Sequence, residues 1–181
     1  NPREKLLDVA FNEIYHCGYN ATSIDKILKQ ASMNKGSMYH FFKSKKELGL
    51  AVINEKVNFY IEDKYSVLLK YEENICEELL KLIKNRNNFD FTCGCKLNNL
   101  MQELSPIDED FKVALEKVYL RFENIIEEVL IKAVKKSEIK HNDTKALSMY
   151  VVASIEGCLG TAKKSQDGDK NAWSLYQRKN V

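Results

Sequence analysis

Lys35, Ser37, Tyr39 and His40 crowd into one short stretch, with Lys43 and Lys45 just after it and Thr22 and Ser23 shortly before it. Ammonium, hydroxyl and imidazole groups at this density suit phosphate oxygens and base edges. On a helix opening at Lys35, the exposed N-terminal side carries Lys35, Gly36, Ser37 and His40, while Met38 and Phe42 turn inward. Thr22, Ser23, Lys43 and Lys45 are better placed for backbone phosphates. Tyr39 has two uses, a hydroxyl directed at phosphate or a packed ring. The partner such a face expects is double-stranded operator DNA. The plainer alternative is a helical hairpin whose charged face is merely solvated.

The other chemistry-bearing residues are less organised. The five cysteines are Cys17, Cys76, Cys93, Cys95 and Cys158, an odd count at uneven spacing that does not resemble a disulfide framework. Cys93-Gly94-Cys95 is too tight for ordinary zinc ligation, and His16, His40 and His141 are scattered, so neither a metal nor a cofactor is expected. An enzyme would need a nucleophile–base pair, and Cys95 has no identifiable histidine partner. No enzymatic activity is expected.

These groups need helices to position them. Only two prolines, Pro2 and Pro106, interrupt the 181 residues, and strand-like alternation is rare. The fold expected is all-α, with an N-terminal three-helix helix-turn-helix head on a larger helical body. Leu6, Leu7, Ala10, Phe11 and Ile14 recur at helical spacing over 3–17, and Gly18 supplies the stop. Thr22 or Ser23 caps a second helix running to about Gln30, and Asn34 caps a third over 35–41. Ser44 and Glu47 form a capping box opening a fourth helix that runs past Tyr60. Further helices are expected over 65–84, 96–103, 108–137 and 144–164, with a last one starting at 172–177. Residues 1–47 would be the DNA-binding domain and 48–181 the effector-binding and dimerisation domain.

Charge follows the same division. Residues 1–50 hold eight Lys/Arg against five Asp/Glu, a surplus of +3, whereas 51–181 hold twenty against twenty-one. The basic surplus therefore sits with the short helices, although it is modest. No apolar run is long enough for a membrane helix, and no secretory pattern opens the sequence. A cytoplasmic location without a membrane partner is expected.

Residues 31–48, Ala-Ser-Met-Asn-Lys-Gly-Ser-Met-Tyr-His-Phe-Phe-Lys-Ser-Lys-Lys-Glu-Leu, resemble the signature of the TetR family of transcriptional regulators. Phe11, Gly18, Tyr19, Thr22, Ile24 and Ile27 fit the same pattern upstream. The resemblance implies a homodimeric repressor that places one recognition helix per protomer in adjacent major grooves. It also implies an all-helical ligand-binding and dimerisation body. An activator would use the same head and body. Ser32 stands where family members often have glycine, so a small strain is expected if the turn needs positive φ.

A second resemblance covers Gly94–Glu103, which is similar to a Gly-Cys-Leu-x-x-Asn-Leu-x-x-Glu segment in one branch of the family. In some members of that branch the cysteine senses electrophiles or oxidants, a role that would map onto Cys95. Lys96, in place of an apolar residue, would favour a thiolate if its amine folds back. The alternative is a buried and unreactive thiol.

For a small-molecule effector, the candidate walls are Phe59, Tyr60, Leu79, Ile83, Tyr119, Phe122, Tyr150 and Trp173. Cys95, Asn98, Asn99 and Gln102 would set polarity, together with Glu103 and Glu156. An apolar or aromatic effector fits best, and the two glutamates leave a cation open. Each large residue could equally be plain core. Met149, Ala153, Gly157, Gly160 and Thr161, with Leu175 in the last helix, suit a symmetric contact between two chains, or packing within one. The expected function is a ligand-responsive, sequence-specific repressor released from operator DNA by its effector. The alternatives are a cysteine-based redox or electrophile sensor, a nonspecific DNA binder, and a helical interaction module without an operator.

Overall fold

The computed structural model describes residues 1–167; Trp173, Leu175 and the last expected helix lie outside them. The described residues form nine α-helices: α1 (Pro2–Cys17), α2 (Ile24–Ala31), α3 (Lys35–Phe41), α4 (Lys45–Ala51), α5 (Asn58–Tyr65), α6 (Ile75–Lys84), α7 (Lys96–Leu104), α8 (Glu109–Lys135) and α9 (Thr144–Ala162). The chain stays helical between α4 and α5 but widens into π-type turns over Val52–Val57. The all-α expectation holds across the described residues.

The helices gather into two compact units. One comprises Asn1–Tyr60 with Asn99–Val118, and the other comprises Ile61–Asn98 with the described residues from Tyr119 onward. The first unit therefore contains more than the expected 1–47 head.

In the first unit, Leu6, Leu7, Ala10 and Ile14 line one face of α1 and are buried, as are Ile27, Leu28 and Ala31 of α2 and Met38 of α3. Three side-chain caps start the short helices. The Ser23 hydroxyl accepts from Lys26 N–H at 3.1 Å, Asn34 Oδ1 from Ser37 N–H at 2.8 Å, and the Ser44 hydroxyl from Glu47 N–H at 3.1 Å. Each satisfies an amide that a helix this short would otherwise leave open. The return bond of the expected capping box lands one residue early, with Lys43 N–H donating to Glu47 Oε2 at 2.7 Å.

The second unit is built on α8, 27 residues long. Phe122, Ile125, Ile126, Val129, Leu130 and Ala133 of α8 are buried, as are Val152, Ile155 and Leu159 of α9. Tyr65 stacks on Phe122 with ring centroids 4.2 Å apart.

One expected element is corrected. The helix expected over 65–84 is divided, because α5 ends at Tyr65, Ser66–Lys70 tightens to a 3-10 segment, and α6 starts only at Ile75. Asn74 turns into the left-handed region at φ 55°. The amides of Ile75 and Cys76 then donate to the carboxylate of Glu138 at 3.0 and 2.9 Å, so a distant residue caps α6.

Candidate nucleic-acid interface and buried polar cluster

The turn before α3 takes the conformation feared for Ser32. Its φ and ψ are 55° and 45°, and the N–H of Met33 reaches back to the carbonyl of Leu28 at 2.9 Å to close α2. Serine is held left-handed where glycine would pay less. Asn34 then restarts the chain as α3.

On α3, Met38 is fully buried and Phe42, just beyond its end, is nearly so, which leaves Lys35, Gly36, Tyr39 and His40 exposed and Ser37 half-buried. Tyr39 is 48% exposed, so its ring is not a core anchor. Lys35 pairs with Asp25 at 3.0 Å; both side chains are largely in water, and the carboxylate raises the pKa of the amine. Such a pair is weak and easily exchanged for a phosphate.

The flanking residues divide by role. Thr22 is buried and its hydroxyl donates to the carbonyl of Gly18 at 2.7 Å. Ser23 spends its oxygen on the α2 cap. Lys45 donates to the carbonyl of Asn20 at 3.3 Å and lies 4.5 Å above the ring of Tyr19, and burial lowers its pKa. Lys43 is exposed with its side chain outward.

The α1–α2 turn is held by residues far along the chain. The carboxylate of Glu103 accepts from the amides of Tyr19 and Asn20 at 3.0 and 2.7 Å. Tyr19 meets Phe111 edge to face at 4.9 Å, and a Cβ on Gly49 would come within 2.6 Å of the Tyr19 ring. Lys46 bridges Asp108 and Asp110 at 2.8 and 2.6 Å, and those carboxylates push its pKa up to about 12. Glu103 is thus committed to backbone amides in the first unit and does not serve as a free polar group.

A different polar cluster forms in the second unit. Glu156 of α9 is 6% exposed, and neither carboxylate oxygen meets a hydrogen-bond partner among the described residues. Burial, opposed by the neighbouring Cys95 thiol and by Lys64, pushes its pKa up to about 7. Cys95 is buried beside it. Burial and the Glu156 charge push the thiol up to about 12, outweighing the amides of Asn98 and Leu97 that favour the thiolate. Lys96 lies near this thiol: burial lowers the amine's pKa while the Cys95 charge works to raise it, and the thiol is still pushed up.

Lys64 and Tyr119 complete the cluster. Burial pushes Lys64 down to about 8. Its amine donates to the carbonyl of Asn88 and lies 3.9 Å from the Phe89 ring centre. The Tyr119 hydroxyl donates to Asn98 Oδ1 at 3.2 Å, and burial followed by the Glu156 charge raises its pKa. Lys64 was not among the sequence candidates, since a lysine on an amphipathic helix normally reads as solvated.

The other effector candidates scatter. In the second unit Leu79 and Phe122 are buried, Ile83 is half-buried and Tyr150 is 70% exposed. In the first unit Tyr60 and Asn99 are half-buried, Gln102 is exposed and Phe59 is 64% exposed. On α9, Met149, Ala153, Gly157, Gly160 and Thr161 all lie on the exposed side, opposite buried Val152, Ile155 and Leu159. A Cβ on Gly157 would touch nothing within 4 Å.

Two family models match the sequence. Residues 6–52 match that of bacterial regulatory proteins of the tetR family, and residues 73–170 match the C-terminal domain of LmrA/YxaF-like transcriptional regulators. An HTH-type transcriptional regulator from the lacX 3' region of Lactococcus lactis is 34% identical over 92% of this chain and 86% of its own. The HTH-type transcriptional repressor NemR of Escherichia coli is 27% identical over 64% of this chain and 60% of its own. Its structure in the reduced form superposes with a TM-score of 0.86 over 99% of this chain and 96% of that one, at 23% identity. Regulatory protein TetR from Rhodobacter sphaeroides superposes with a TM-score of 0.80 over 92% of this chain and 90% of that one, at 26% identity.

Proposed function

The chain belongs to the TetR family of bacterial transcriptional regulators, and from that premise we propose a homodimeric repressor that α3 docks on operator DNA and a small effector releases. The observation that carries the DNA reading is the fully buried Met38 beneath an outward face of Lys35, Gly36, Tyr39 and His40 on a capped, seven-residue helix. Such a helix buries one side and offers the other to the major groove. Repression is inferred from the likeness to NemR, an HTH-type transcriptional repressor.

Ser37 and His40 read base edges, while Lys43 and the hydroxyl of Tyr39 hold phosphate. Gly36 lets the backbone approach. Thr22, Ser23 and Lys45 act at one remove, by fixing the turn and caps that aim α3. Gel shifts on a selected operator and a scrambled duplex test the division. Tyr39→Phe and Lys43→Ala weaken both duplexes alike, while Ser37→Ala and His40→Ala change the ratio between them. Equal losses on both duplexes from all four variants contradict the assignment.

The exposed Met149, Ala153, Gly157, Gly160 and Thr161 side of α9 supports pairing with a second copy, since small residues let helices approach closely. Release then requires an effector that favours one of two dimer states over the other. Two stretches are suited to transmit the shift. One is the α4–α5 helix with its widened turns at Val52–Val57. The other is α7, which opens next to Cys95 and carries in its last turn Glu103, the residue that holds the α1–α2 turn. The effector region centres on Asn98, Tyr119, Cys95 and Glu156. The alternative of a thiol sensor at Cys95 meets a thiol that burial keeps protonated at neutral pH.

A further inference from the structure

Glu156 is a buried carboxylate without a geometric hydrogen-bond donor among the described residues. It is 6% exposed, and neither oxygen meets a hydrogen-bond partner among those residues. Burying a carboxylate this way is costly unless something supplies the missing donors. The surrounding groups do not. The Cys95 thiol beside it is a weak donor with a single S–H, too little to satisfy two carboxylate oxygens. The Lys64 amine is taken by the carbonyl of Asn88 and the face of Phe89. The Tyr119 hydroxyl is turned to Asn98 Oδ1.

We infer that Glu156 is the recognition group of the effector site, and that the effector is a small organic cation whose protonated nitrogen donates to both carboxylate oxygens. This rests on the effector-responsive reading above and narrows it from an apolar or aromatic ligand to a cationic one. Two free oxygens on one carboxylate match a donor with two N–H groups, such as an amidinium or a primary ammonium. A carboxylate ligand would meet the charge of Glu156, and Lys64, the cation that acts on that carboxylate, is already held by the Asn88 carbonyl and the Phe89 ring. The Tyr119 ring carries a hydroxyl that feels the Glu156 charge, so an aromatic frame on the cation suits this part of the second unit. The raised pKa of Glu156 adds a consequence. A bound cation favours the ionised carboxylate and so draws off the proton that burial retains.

Calorimetric titration of the full chain with benzamidine, naphthamidine, benzamide and benzoate tests this at one pH and one salt concentration. At least one of the two amidines binds wild type, while neutral benzamide and anionic benzoate do not. Glu156→Gln keeps the shape and loses the charge, and weakens the amidine by roughly tenfold or more. A thermal melt of Glu156→Gln no lower than wild type rules out misfolding as the cause. Absence of binding by both amidines, equal binding to the Gln variant, or a preference for benzoate overturns the inference. Binding-site selection on random DNA is run alongside with no ligand. A selected operator with no amidine binding sinks this inference alone, and a failed selection sinks the regulatory reading.

Discussion

At Glu156, burial and charge pull against each other. Its folded pKa is raised to about 7 from 4.5, so the cost of ionising it is absent below 4.5, grows as pH rises, and is complete above 7. The wild type should lose about 3 kcal/mol relative to Glu156→Gln across that window. Urea midpoints of both proteins on either side of the window check this, and parallel pH curves contradict it. Cys95 gives a second prediction. A thiol held near 12 and buried should resist iodoacetamide in the folded protein, while exposed Cys17 is modified first. Mass mapping after a short exposure reads the order, and modification of Cys95 before Cys17 would restore the thiol-sensor alternative. The sequence brought Glu156 and Cys95 forward as polar groups in the body. It does not disclose Lys64, because the Asn88 carbonyl and the Phe89 ring that meet its amine are distant in sequence.

Among the helices, local signals were the readable ones. Apolar spacing drew α1, and Ser23, Asn34 and Ser44 marked the starts of α2, α3 and α4 because each cap bonds within three residues. The break between α5 and α6 was hidden, since it depends on Glu138 reaching the amides of Ile75 and Cys76. The role of Glu103 is hidden in the same way, since the amides of Tyr19 and Asn20 that it accepts from lie more than eighty residues before it. The turn at Ser32 was legible, and it supports a prediction. A left-handed serine costs about 1–2 kcal/mol, and glycine returns about 0.5–1 kcal/mol of that as unfolded-chain entropy. Ser32→Gly should therefore stabilise the protein slightly, by up to about 1 kcal/mol in urea unfolding. A lower midpoint would show that the serine side chain contributes more than its strain. Gly49→Ala works in the opposite direction: its new Cβ meets the Tyr19 ring packed on Phe111, and overpacking of this kind costs about 1–3 kcal/mol.

For the whole molecule, the α9 face and the α3 face must act together. A Cβ at Gly157 meets nothing within 4 Å among the described residues, so Gly157→Arg should fold normally yet fail to pair. Sedimentation would then report a monomer with a wild-type melting profile, and its operator affinity would fall because one recognition helix binds alone. A stable dimer in that variant would move the contact off this face. Charge distribution alone was too modest to identify the head, and the order of turn, cap and short helix decided it. The most direct test is selection of binding sites from random DNA by the wild-type chain. An inverted repeat with half-site centres about one helical turn apart, roughly 34–36 Å, is predicted, with the half-site preference altered by Ser37→Ala and His40→Ala. No enriched sequence, or an enrichment unchanged by both substitutions, would contradict it.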